Sequence, residues 1–249
     1  VILVNENIEY NAGDVIPELN IESYFVWIPR FKYKIFDEGN YSGLTEVENA
    51  EQTIEVIFED KDTPILNGST VGEWLTHPAF TSFDSNGMWV GKFETSTTLT
   101  SDYNVRNGNA VQIKPNVVAW QSIQVANAFY TSYDYKRNLD SHMMKNTEWG
   151  AVAYLQHSIY GSRQKVRINN NSSRITGYSA NNEPTCGYTA SNLDCNRYCD
   201  DGSCNSPYNT SIGYLASTTA NITGIYDMSG GAWELVMNLM QSETGGIII

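Results

Sequence analysis

Apolar residues crowd together between Tyr24 and Ile35, and from Phe31 onward they alternate with charge. Phe31, Tyr33 and Ile35 fall on one side of the run, Lys32 and Lys34 on the other. A side-chain period of two marks a half-exposed strand, so the run is expected to be extended, with its lysines in solvent. Thr53 to Phe58 and Met88 to Glu94 predict a second and a third strand. Helical spacing then takes over. Val118, Ser122, Val125, Ala126 and Phe129 predict a first helix. Trp149, Val152, Ala153 and Tyr154 line a second, with Asn146 or Thr147 as its N-cap. Glu148 falls in the first turn, where a carboxylate suits the unpaired amide groups. Trp120 and Trp149 read as core anchors.

The segments between these elements divide the chain. Residues 1–20 are polar and turn-rich and read as a lead-in. Asp60 to Ser85 is irregular, with turn signals at Asn67-Gly68 and His77-Pro78. Residues 158–220 are rich in Asn, Ser, Thr, Gly and Tyr and poor in aliphatic residues. Such a stretch reads as a surface insertion. The expected organisation is therefore a lead-in followed by one domain over residues 21–249.

Composition narrows the class. The 249 residues include 16 tyrosines and 6 tryptophans with only 17% charged residues, which fits a loop-rich mixed fold better than a helical bundle. A formal net charge of -13 repels phosphate backbones and anionic headgroups, so nucleic-acid binding and adsorption to membranes are disfavoured. No apolar run is long enough to span a bilayer. The chain opens at Val1 with no initiator methionine or signal segment, which is the expectation for a processed product.

Four cysteines, Cys186, Cys195, Cys199 and Cys204, lie within the polar insertion. An even number in such a loop points to two disulfides and an oxidising compartment, with three pairings open. The alternative is a zinc site, for which the C-x2-C knuckle is missing. His77, His142 and His157 show no metal-ligand spacing and read as surface or structural histidines.

Five short segments carry further information. Gly224-Ile225-Tyr226-Asp227-Met228-Ser229-Gly230-Gly231-Ala232-Trp233-Glu234-Leu235 reads as a glycine turn delivering Trp233 into a core. Upstream of it, in order, come Phe25-Val26-Trp27-Ile28-Pro29, Met88 to Ser96, Pro115 to Ser122 and Lys145 to Tyr154. Together they resemble, in sequence and in order, the motifs of the formylglycine-generating-enzyme (sulfatase-modifying-factor) superfamily. That resemblance covers about residues 24 to 240. It implies an α+β, C-type-lectin-like fold: two helices packed on short twisted antiparallel sheets with long irregular loops. Trp27, Trp120, Trp149, Asp227 and Trp233 are the positions it marks as the structural signature.

The oxidising members of that superfamily bind copper through a cysteine pair that follows the turn motif. The present cysteines precede the motif, and the chain runs only fifteen residues past Glu234, so a non-enzymatic protein is expected. The resemblance also implies a structural calcium, with Glu234 matching a family ligand and Gly231 standing where the family has an asparagine. The alternative for Glu234 is a buried carboxylate hydrogen-bonded to amides.

The functional expectation is an extracellular binding, adhesion or display module of a bacterial or phage surface, of pilin, tail-fibre or retroelement-variable type. Its partner is expected to be a protein or glycan on a host or neighbouring cell. Tyr188, Tyr198, Tyr208 and Tyr214 are the expected contact residues, because tyrosine among Ser, Gly and Asn supplies rigid area with adaptable polar groups. Two alternatives stand beside this reading. One is a truncated copper oxidase. The other is a filament or oligomer subunit completed by strand addition at Ile247-Ile248-Ile249.

Overall fold

The apolar run after the lead-in forms two strands belonging to different sheets. In the computed structural model, β1 is Ile2–Val4, β2 Ile21–Pro29, β3 Phe31–Lys34, β4 Glu55–Phe58, β5 Leu75–Thr76 and β6 Gly87–Gly91. Pro29 cannot donate to a ladder and ends β2, so the chain changes sheets at Arg30. The structure describes residues 1–4, 8–34, 54–63, 73–81, 83, 85–161, 163, 166, 174–179, 206–209, 217–219, 221–230, 232, 234–237, 240–241 and 247–248.

The first sheet has the order β1-β2-β6, all antiparallel. Ile2–Val4 pairs with Ile21, Ser23 and Tyr24, so part of the expected lead-in is built into the domain. Trp27 stands opposite Trp89 across β2 and β6, with ring centroids 4.9 Å apart. The two rings are 39% and 51% exposed, so Trp27 lies on the outer face of its sheet. Gly87 makes this possible, because a Cβ there would meet Ile28 O and the Trp27 ring at 2.4 Å.

The second sheet, β4-β3-β5, corrects the expectation for Lys32. Because β3 is the central strand, Lys32 is 0% exposed instead of solvated. Its Nζ lies 3.7 Å from Glu59 Oε2 and 3.3 Å from Thr76 Oγ1. Glu59 Oε1 also accepts from Arg30 Nε at 3.0 Å and Thr76 Oγ1 at 2.9 Å. A buried cation of this kind is tolerated only with such company.

Further short pairs follow. Strand β7 (Ser96–Thr97) pairs with β8 (Val111–Gln112) and β9 (Tyr178–Ser179) with β10 (Ser206–Pro207). Strand β11 (Met240–Gln241) pairs with β12 (Ile247–Ile248), so the apolar end finds its partner within the chain.

Helix α1 is Val125–Tyr135, later than the expected start near Val118. Val118 and Ala119 instead bridge to Ile175 and Ser96, and Ser122 has φ +60°, which no helix accommodates. Helix α2 is Asn146–His157. Its N-cap is Lys145, one residue before the expected cap, because Glu148 folds back to accept from the Lys145 N–H at 2.8 Å. This is the reciprocal half of a capping box, in which the N3 carboxylate takes the N-cap amide.

Two apolar clusters result. Ile28, Phe31, Phe80, Val90, Val152 and Met228 belong to the one beneath α2. Phe93, Val111, Ile113, Trp120 and Tyr226 belong to the other. Trp120 is buried there, and its indole N–H donates to Tyr103 O at 2.9 Å. The architecture is α+β, with small antiparallel sheets and two helices. Among the described residues no helix is long and apolar enough to cross a membrane.

Candidate functional site

The turn beginning at Gly224 is fastened on three sides. Tyr226 N–H donates to Lys92 O at 2.8 Å, which lays the turn along the chain leaving β6. Thr218 binds its other edge, donating from its amide to Ile225 O at 2.8 Å and accepting from Met228 N–H at 3.1 Å through Oγ1. The Trp149 indole, from the first turn of α2, donates to Met228 O at 3.0 Å. Asp227 takes φ +60° at the centre, a left-handed conformation that Asp and Asn tolerate better than most residues. It is 1% exposed, and its Oδ2 accepts from Gly177 N–H at 2.6 Å.

Around Asp227 stand two more acids. Glu94 Oε1 accepts from Ala232 N–H at 3.2 Å, and Glu234 Oε2 accepts from the Trp149 indole at 3.3 Å. Burial pushes the Glu94 carboxyl up to about 8; the charge of Asp227 adds to this, while Ala232 N–H and Arg174 oppose it. Glu234 lies exposed at the rim, yet its carboxyl is also pushed up. Desolvation by the protein packed on its inner side is the main cause, followed by the charge of Glu94. Like charges that share a site hold protons in this way.

These donors do not fit a calcium ion. Calcium takes about six to eight oxygens. Here each carboxylate already accepts from an N–H group. Among the described residues no three His, Cys, Asp or Glu side chains are arranged to hold a metal. The hydrogen bonds of these acids form a latch that joins the chain leaving β6, helix α2 and the turn.

The other residues marked by the sequence are dispersed. Tyr188, Tyr198, Tyr214, Trp233 and the four cysteines, Cys186, Cys195, Cys199 and Cys204, lie outside the described residues. Tyr208 is half-buried, with its ring 5.1 Å from Phe93 and 5.9 Å from Tyr226. Lys92 Nζ lies 5.3 Å from the Tyr208 ring, so this tyrosine belongs to the packing behind the turn. His77 is buried among Phe31, Tyr33, Phe80 and Tyr154, and its Nδ1 accepts from Ala79 N–H at 3.2 Å. Burial lowers its pKa to about 4.

Two polar participants are given no site role by the sequence, His142 being read there only as a surface or structural histidine. Glu94 lies within the Met88–Ser96 segment, and only its position after an aromatic strand hints at a role. His142 is the other. Both of its ring nitrogens are engaged, Nδ1 by Asp140 O at 2.8 Å and Nε2 by Glu148 Oε1 at 3.0 Å. Compared with models of protein families, with characterised proteins and with solved structures, the chain matches none.

Proposed function

We propose that the chain is a non-catalytic binding or display module of a cell or phage surface, built on a C-type-lectin-like, formylglycine-generating-enzyme-like fold. One observation carries the reading: the five sequence segments that resemble that superfamily join into one bonded unit. Phe25–Pro29 pairs along Gly87–Gly91 in register. Trp120 N–H donates to Thr95 O at 2.8 Å, which joins the third segment to the second. Trp149 and Ala232 then tie the helix and the turn together through Met228 O and Glu94.

Ligand contact is assigned to Tyr188, Tyr198 and Tyr214 of the Tyr-, Asn- and Ser-rich stretch, whose composition suits adaptable recognition. A protein or glycan partner outside the cell agrees with a net charge of -13, which disfavours nucleic acid. The test is to pass the immobilised full chain over arrays of glycans and purified cell-surface proteins. A saturable ligand is expected. Joint replacement of Tyr188, Tyr198 and Tyr214 by Ser should weaken its binding by about tenfold or more, with an unchanged unfolding temperature. Absence of any saturable ligand overturns the reading. So does copper uptake coupled to oxidation of a cysteine peptide.

A further inference from the structure

His142 sits where the connection between the helices meets the first turn of α2. Its Nδ1 is 2.8 Å from Asp140 O, and its Nε2 is 3.0 and 3.2 Å from the two oxygens of Glu148. All three partners are acceptors. A neutral imidazole has a single N–H and can satisfy only one side; an imidazolium donates to both. The geometry is therefore that of a protonated ring.

What the ring holds is specific. Asp140 ends the turn after α1, where Ser141 Oγ donates to Ser132 O at 2.9 Å and accepts from Lys136 N–H at 2.8 Å. Glu148, 4% exposed, accepts from Lys145 N–H and caps α2. Lys145 in turn bridges in parallel to Met237, with Asn146 N–H donating to Met237 O at 3.0 Å and Met237 N–H to Met144 O at 2.8 Å. The chain of contacts thus runs from the end of α1 through His142 and Glu148 to the segment that follows the signature turn.

We propose that His142 is a proton-operated fastener. Charged, it clamps the Asp140 turn onto Glu148 and keeps residues 234–237 docked on the start of α2; on losing its proton it releases one of the two contacts and that docking loosens. The charged groups facing the ring are Glu148 and Lys145 of α2, and Lys145 Nζ lies 3.2 Å from Glu148 Oε1. Lys145 leaves the carboxylate with a second cation, so release loosens the docking without unfolding the domain.

The direction of titration agrees. The hydrogen bond to Glu148 raises the His142 pKa, opposed by desolvation and by Lys145 and supported by Asp140 O. A raised histidine contributes stability that is fully present below its unfolded value of 6.5 and is lost as pH rises through the folded value.

Hydrogen exchange on the full chain, expressed as protection factors, tests this. Asn146 and Met237 amides should lose about tenfold of their protection between about pH 6 and pH 8.5. In His142→Gln their protection should be low and flat with pH. Gly177 and Ala232 amides report the carboxylate latch separately, through Asp227 and Glu94. Constant protection in the parent overturns the proposal, as does an unchanged pH dependence in His142→Gln. Should that variant fail to fold, nitrogen-15 shifts of the parent imidazole decide. Two imidazolium-type nitrogens at pH 6 support the fastener, and a neutral single tautomer overturns it.

Discussion

Helix α2 begins between two sets of carboxylates kept in opposite company. Glu148, at its first turn, faces His142 and Lys145. Glu94 and Glu234, reached through the next residue, Trp149, face each other and Asp227. Burial acts on all three glutamates in the same direction, raising their pKa values. Glu148 is nearly inaccessible, yet its pKa is lowered: desolvation pushes it up, and the His142 hydrogen bond, the Lys145 amide and the two neighbouring charges together outweigh that push. Glu234 is exposed, yet its pKa is raised. At Glu148 the cationic and amide neighbours overcome desolvation, whereas at Glu94 and Glu234 like charges add to it. The two sets therefore respond to pH in opposite ways. Glu148 contributes stability above its unfolded value of 4.5, lost as pH falls through its depressed folded value. Glu94 binds a proton in the folded state that the unfolded chain releases above 4.5, so it subtracts stability as pH rises from there through about 8.

The largest effect is expected at Asp227, the centre of the like-charged set. Asp227→Ala leaves the buried Gly177 amide without its acceptor and puts alanine at φ +60°. A loss of about 2 to 4 kcal/mol by urea unfolding follows from those two costs. Asp227→Asn keeps an acceptor and should lose less, while lowering the pKa of Glu94. An alanine variant as stable as the parent would remove Asp227 from the latch. Trp149→Phe comes next. It deletes the donor to Met228 O and Glu234 but keeps the aromatic packing, and should cost about 1 to 2 kcal/mol. Equal protection of the amides around Met228 in both proteins would contradict it.

Glu94→Gln should have the smallest effect and the most telling sign. The amide keeps an oxygen for Ala232 N–H and needs no proton. Its stability relative to the parent should rise with pH between about 5 and 8, by on the order of 1 kcal/mol after solvent screening. A difference that is flat across that range would mean that Glu94 ionises freely.

Much of the frame was legible in the sequence because it depends on local pattern. Glu55–Phe58 and Gly87–Gly91 announce themselves by β-branched and aromatic residues, and α2 by its spacing and Glu148. The first helix was misplaced because helical spacing at Val118 and Ser122 is silent about the left-handed backbone at Ser122. Lys32 was put in solvent because alternation tells which side chains share a face and not whether that face is covered. The residues that enclose its ammonium, Thr76 and the counter-ion Glu59, come from elsewhere in the chain. The latch was invisible for the same reason. Glu94 meets Ala232 across 138 residues, and no local rule links them.

Lys32 also provides a built-in clock. An amine-reactive reagent can reach the partly exposed Lys61 in the native protein, whereas the ammonium of Lys32 is sealed in with Thr76 and Glu59. Acylation at Lys32 should therefore wait for the β4-β3-β5 sheet to come apart. The time course of that single modification would read how often this sheet opens.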